Sequence, residues 1–217
     1  MSVDPRSLLA LPSLYSLFRR VVGRDASRWV YAREHIRAEP GQRVLDLGCG
    51  PGDILSFLPP VHYVGYDISP DYIERARRRF GERGEFHCRA IQEDMPVDEA
   101  GYDVVIAHGV LHHLDDAQAG ELLRVARRAL SRGGRLVTFD GCFTEDQSAA
   151  ARLIVGLDRG RHVRNVPDYE RLARDAFEQV LTTVRHDLLR IPYTHLIMEC
   201  TAPSGVTASN PPLDSRS

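Results

Sequence analysis

A chain of 217 residues is long enough for one domain with a proper core, and its hydrophobic (43%) and charged (27%) content is that of a soluble globular protein. The net charge of −2 argues against a general nucleic-acid binder, and no apolar run has the length of a membrane span or the pattern of a signal peptide. All the Lys-plus-Arg residues are Arg, and the four cysteines (49, 88, 142 and 200) form no C-x-x-C pair, so neither a zinc site nor a disulfide framework is indicated. A cytoplasmic protein with no metal and no membrane partner is expected, of an oligomeric state that no pattern reveals.

In chain order, residues 6–39 read as two helices. Leu8, Leu11, Leu14, Phe18 and Val22 recur at helical spacing in the first, while Trp29, Val30, His35 and Ile36 belong to the second, which Pro40-Gly41 closes. Arg43 to Asp53 then opens as a buried strand through Val44, Leu45 and Leu47, and breaks into a loop with glycine at 48, 50 and 52. Glycine there lets the backbone turn sharply and lets a ligand lie against it without meeting a Cβ. A helix start should follow, its free N–H groups facing the ligand. A dinucleotide site needs G-x-G-x-x-G, but here the third glycine position falls on Asp53, an acid that would repel a pyrophosphate.

Ile54 to Leu58 is a short helix stopped by Pro59-Pro60, and Val61 to Tyr66 is a second strand ending on Asp67. Asp67 lies 17 residues beyond Gly50, near the separation at which an acid meets ribose hydroxyls in nucleoside-binding α/β folds. Its two acceptor oxygens match a vicinal diol. Pro70 fits the first turn of a helix running to about Phe80, with Ser69 before it as N-cap. Glu85 to Ala90 and Tyr102 to Ala107 read as strands, the latter apolar enough to be buried on both faces. Asp115 or Asp116 caps a long helix, Ser131 to Gly134 ends it, and Arg135 to Asp140 is a fifth strand. Strand alternating with helix implies a parallel sheet with ligands at the carboxyl ends of the strands.

The run D-x-G-x-G-x-G from Asp46 to Gly52, the string Val110-Leu111-His112-His113-Leu114 after the fourth strand, and the helix-Gly-Gly-strand passage through Gly133 and Gly134 together resemble the class I S-adenosylmethionine-dependent methyltransferases. The resemblance is close over residues 42–140. It implies an α/β, Rossmann-like fold with a seven-stranded, mostly parallel sheet, helices on both faces and a C-terminal antiparallel hairpin. It also implies S-adenosyl-L-methionine as cofactor, held by Asp46, Gly48, Cys49, Gly50, Gly52, Asp67, Ile68, Ile91, Gln92 and His108. Asp46 and Asp53 suit its cationic sulfonium and amino groups. Relatives often carry an Asp for the adenine amino group where this chain has Ile91, so Gln92 or a backbone group takes that role. In the family, helices ahead of the glycine loop cover the cofactor and the insert after the fifth strand forms part of a substrate lid.

Residues 1–201 are thus expected to form one domain, with cap helices over 1–40, a lid insert over 141–177 and a disordered tail over 202–217. Within the lid, helices over Gln147–Leu157 and Pro167–Phe177 flank Arg159, Arg161, His162 and Arg164, which either bind an anionic substrate or form a solvated turn. Gln179–Leu189 and Tyr193–Thr201 read as the closing hairpin. Methyl transfer from a sulfonium releases a neutral thioether, so a base is needed only for an acceptor protonated at working pH. His108, His112, His113 and Asp140 stand at the crevice as candidates, with His162 from the lid. The expected catalytic set is His108, His113 and Asp140. Neighbouring residues do not share a helix face, so at most one of His112 and His113 should enter the crevice. A methyltransferase for a small-molecule acceptor is the leading reading, with no nucleic-acid partner. The alternatives are a nucleotide-dependent oxidoreductase and a catalytically silent S-adenosylmethionine-binding relative.

Overall fold

The computed structural model describes residues 24–157 and 160–201. The expected first helix, the C-terminal tail and Arg159 lie outside the described residues. Helix α1 (Arg24–Val30) runs on as a wider π-wound segment, Tyr31–Ile36, which Arg37 ends in a left-handed conformation (φ 46°). Its buried face is Tyr31, Ala32, His35 and Ile36, whereas Trp29 is exposed.

The strands are β1 (Arg43–Leu47), β2 (His62–Asp67), β3 (Glu85–Cys88), β4 (Tyr102–His108), β5 (Leu130–Phe143), the two-residue β6 (Arg164–Asn165), β7 (Gln179–Arg185) and β8 (His195–Thr201). Seven of them form one sheet in the order β3-β2-β1-β4-β5-β8-β7, and β6 pairs with the end of β5. The first five are mutually parallel, while β8 runs antiparallel between β5 and β7. This is the expected seven-stranded, mostly parallel sheet with its antiparallel hairpin. The helices after α1 are α2 (Pro70–Phe80), α3 (Asp116–Ala129), α4 (Ala149–Gly156) and α5 (Val166–Arg174). Each starts on a side chain that accepts an orphan backbone N–H, from Ser69, Asp115, Ser148 and Asn165 in turn.

Period-two alternation splits the central strands between two cores. Leu45, Leu47, Val105, Ala107 and Leu136 pack with Leu122, Leu123 and Ala126 of α3 and Tyr169 and Leu172 of α5. Val44, Val104, Ile106 and Val137 pack on the opposite face with Tyr31, Ile36, Ile54 and Ile73. Each Val, Leu or Ile among them contributes about 1.5–3 kcal/mol by leaving water, which fixes the sheet and hence the edge where its carboxyl ends meet. No helix among the described residues is long and apolar enough to cross a membrane.

Of the boundaries that differ from the sequence reading, three lie on the elements that lead into the site. The segment after the glycine loop is a five-residue 3-10 turn, Asp53–Phe57, rather than an α-helix, because Pro59-Pro60 cut it short. Strand β3 ends at Cys88 instead of Ala90. Strand β5 starts at Leu130 and not Arg135: Leu130 pairs with Tyr102, and a register shift before Val104 absorbs the glycine pair.

Candidate active site

The carboxyl ends of β1, β2, β4 and β5 form one edge, and the expected site residues divide along it into two groups. In the first, β1 runs into the glycine loop, whose glycines 48, 50 and 52 all have positive φ (79°, 53° and 73°). A Cβ on Gly48 would stand 2.5 Å from a Val110 methyl, so the loop after β4 lies directly on the loop after β1. Among the described residues no atom lies within 4 Å of a Cβ on Gly50, leaving that backbone open to a ligand. Asp67 bridges loop and helix: Gly50 N donates to Oδ2 and Ser69 N to Oδ1, each at 2.8 Å. A carboxylate has about four lone-pair sites, so both oxygens can still accept an outside donor such as a diol.

Asp46 points to the α1 face of β1 and is buried, receiving the Tyr63 hydroxyl on Oδ2 at 2.6 Å. Its Oδ1 has no hydrogen-bond partner among the described residues. Burial, with Asp67 nearby, pushes the Asp46 carboxyl up to about 7, against the opposing Tyr63 hydrogen bond. A buried acid in this condition lacks a cationic donor. Cys49 is buried and its thiol is raised by burial beside Asp46 and Asp67, so it is inert packing. Ile68 is exposed beside Asp67, Gln92 is exposed, and Ile91 packs partly on the α3 core. His108 closes β4 with its ring stacked 4.7 Å from Phe139 and tilted against Tyr31 at 5.2 Å, facing the same side of the sheet as Asp46.

The second group stands at β4 and β5. His112 is buried with Nδ1 2.8 Å from Asp140 Oδ1, and its backbone N–H donates to the same oxygen at 3.2 Å. His113, one residue on, is exposed on the outside of the turn Leu111–His113, its ring 4.1 Å from that of His112. Asp140 thus faces His112, and neither His108 nor His113 is its hydrogen-bond partner. Arg164 is neither a lid cation turned to a substrate nor a solvated residue. It is buried and donates to the carbonyls of Leu111 (2.9 Å), Leu114 (2.7 Å) and His162 (3.0 Å), and to Asp116. Arg161 and His162 are exposed.

Sequence reasoning missed Tyr63 as part of the site, and it gave Arg164 to a substrate or to solvent rather than to the turn carbonyls it holds. The His112–Asp140 pair had a signal, because β4 and β5 are adjacent parallel strands whose ends must lie side by side.

Comparison with known proteins fits this geometry. A family model described as a methyltransferase domain matches residues 45–136, from β1 to β5. Over that stretch the chain carries a methyltransferase domain similar to those of the class I S-adenosylmethionine-dependent enzymes. It is similar to a malonyl-[acyl-carrier protein] O-methyltransferase of Hahella chejuensis, at 32% identity over 62% of this chain and 49% of that protein. It is also similar to a probable tRNA methyltransferase 9B of Homo sapiens, at 31% identity over 53% of this chain and 25% of that protein. The chain thus spans about half of the first relative and a quarter of the second. Among solved structures, the S-adenosylmethionine-dependent methyltransferase SibL in its apo form superposes with a TM-score of 0.63 at 27% identity, over 94% of this chain and 63% of that one. Against this family the cradle fits its ligand: the unpartnered Asp46 oxygen suits an ammonium, and the Asp67 oxygens suit ribose hydroxyls.

Proposed function

We propose that the chain transfers a methyl group from S-adenosyl-L-methionine to a small-molecule acceptor, within one domain over residues 1–201. The observation that carries this reading is the cradle made by the open Gly50 backbone, the bridging Asp67 and the half-satisfied Asp46. When bound, the cofactor supplies an electrophilic methyl on a sulfonium, which departs as a neutral thioether. The chain's own part is to hold and align. Asp46 takes the amino group, Asp67 the ribose, and the backbone at Gly48, Gly50 and Gly52 lies against the ligand. Ile68, Ile91 and Gln92 flank the adenine, and His108 borders the methionine portion.

Arg164 is committed to the turn, so an anionic acceptor would meet Arg161 and His162. The malonyl-carrier relative supports a small acyl-type acceptor. The tRNA methyltransferase relative means that the chain's net charge alone does not exclude RNA. The test is isothermal titration with S-adenosylmethionine, its demethylated product and NAD, then turnover with a metabolite extract and with tRNA. Binding of the first two without NAD, and methylation of an extract component, is expected. Binding of NAD alone would overturn the reading. Cofactor binding with no turnover would make the chain a silent relative, and methylation of tRNA alone would replace the acceptor class.

A further inference from the structure

Among the described residues the sheet has a free edge at each end, and the two are finished differently. Strand β3 is four residues long and begins on a charged side chain, Glu85, two features that discourage a further strand from adding to it. Strand β7 is seven residues long, Gln-Val-Leu-Thr-Thr-Val-Arg, with no charge, proline or glycine between its ends. It hydrogen-bonds β8 on one side, and among the described residues no strand lies on the other. Such an edge offers a row of backbone donors and acceptors to an approaching chain. Near its middle Leu181 is 71% exposed, and Thr183 is exposed on the same side of the sheet.

The side chains of β7 alternate between the two helical layers. Val180 and Val184 pack on the core under α3 and α5, and Thr182 donates to Glu170 of α5 at 2.8 Å. Gln179, Leu181, Thr183 and Arg185 lie on the α1 side, where Arg185 reaches Glu34 at 3.0 Å. The strand is self-complementary about Thr182. In an antiparallel pair centred there, Val180 faces Val184 of the second copy and Leu181 faces Thr183, each twice. At the ends Gln179 faces Arg185 and Glu178 faces His186, so no like charges are opposed. A shift of two residues one way sets Leu181 against Arg185, and the other way sets Glu178 against Val184. A shift of one residue would put the α1 side of one copy against the α5 side of the other.

We propose that β7 is a homodimer interface: it pairs edge to edge with β7 of a second copy of this chain, antiparallel, with the two-fold axis at Thr182. The two sheets become one, and Leu181 packs against Thr183 across the axis. Strand β8 is antiparallel to both β5 and β7, so β7 runs parallel to β5. Antiparallel pairing across the axis therefore points the two catalytic edges in opposite directions. Neither copy closes the other's cradle, and the interface is separate from the site.

The test uses the full chain. Sedimentation over a range of concentrations should show a reversible dimer. Leu181→Lys/Thr183→Lys sets lysine against lysine twice and should weaken that dimer about tenfold or more. Leu181→Glu/Thr183→Glu should do the same, and mixing the two double variants should restore a mixed dimer. Both replace exposed side chains, so their circular dichroism should match the wild type; should either misfold, a cysteine readout still decides. In a Cys88→Ser background, Thr182→Cys should oxidise to a dimer bridged between the two copies of position 182, because opposed Cα atoms about 4.5–5.5 Å apart suit a disulfide. Gln179→Cys should form no such bridge. A monomer at every concentration, a dimer indifferent to both double variants, or bridging at 179 instead of 182 would each overturn the proposal. So would a chain that dimerises only after removal of residues 202–217, which would give the edge to the chain's own C-terminal segment.

Discussion

The two halves of the catalytic edge are built differently. Around β1 and β2, the site is made of backbone: glycines with positive φ, N–H groups held by Asp67, and one buried acid. Around β4 and β5 it is made of side chains from distant segments. His112 meets Asp140 across 28 residues, and Arg164 reaches the Leu111 carbonyl across 53. A backbone cradle suits a ligand common to a whole family, since it depends little on side-chain identity. A side-chain cluster can be rewritten for each acceptor. The first half should therefore be sensitive to added atoms, and the second to lost hydrogen bonds.

The largest effect should come from adding a single methyl to the cradle. Gly48→Ala puts a Cβ against Val110 at a φ of +79°. Overpacking of about 1–3 kcal/mol adds to about 1–2 kcal/mol for the left-handed backbone. Gly50→Ala meets no atom of the described residues within 4 Å and keeps only the backbone part. Thermal melts should rank Gly48→Ala well below Gly50→Ala, with Gly48→Ala/Val110→Ala between them. A double variant no better than the single would show that Val110 is not what the methyl strikes.

Next in size is the clasp under the acceptor half. Arg164→Ala leaves the Leu111, Leu114 and His162 carbonyls without their charged donor, a loss of about 1.5–3 kcal/mol. Neighbouring Arg171 pairs with Asp116 in the open, so Arg171→Ala should move the melt far less, by about 0.2–1 kcal/mol. Equal shifts for the two would mean that the buried clasp adds nothing beyond a surface ion pair.

This difference between the halves also explains what the sequence could tell. Glycine spacing, the strand before it and the acid ending the next strand are local patterns, so the cradle and the sheet were legible. Asp46 was expected in the site, but its dependence on Tyr63 was not, since the two meet only through the pairing of β1 with β2. Arg164 looked like one of several arginines in an Arg-rich turn; its role depends on β6 docking against β5. His112 and His113 are indistinguishable as letters, and only the turn buries one and exposes the other.

A smaller loss should follow removal of the acid on β2. Asp67→Ala takes away the acceptor for two backbone N–H groups and the proposed partner of the ribose. Charge-assisted bonds of about 1.5–3 kcal/mol correspond to roughly a ten- to hundredfold weaker cofactor by titration calorimetry. Unchanged affinity with the fold intact would remove the ribose from Asp67 and leave it a loop brace.

The smallest effect is the most specific, because it comes from protonation of one buried oxygen. The Asp46 carboxyl, raised to about 7 by burial, holds a proton in the folded protein over a range where the unfolded chain has lost it. Raising the pH from about 4 toward 7 therefore lowers the stability of the ligand-free protein, and below that window Asp46 contributes no slope. Cofactor binding has the opposite sign. An ammonium beside Asp46 favours the carboxylate, so below pH 7 binding must first release the proton. Between pH 7.5 and 6 the association constant should fall by somewhat under tenfold, with nearly one proton released per cofactor at the lower pH. Calorimetry in buffers of different ionisation enthalpy counts that proton directly. Asp46→Asn should abolish both the release and the stability slope while binding more weakly at pH 7.5, and it controls for titration of the cofactor's own amino group. Proton release that persists in Asp46→Asn would show that another group titrates, and that the open oxygen on Asp46 is not the seat of the ammonium.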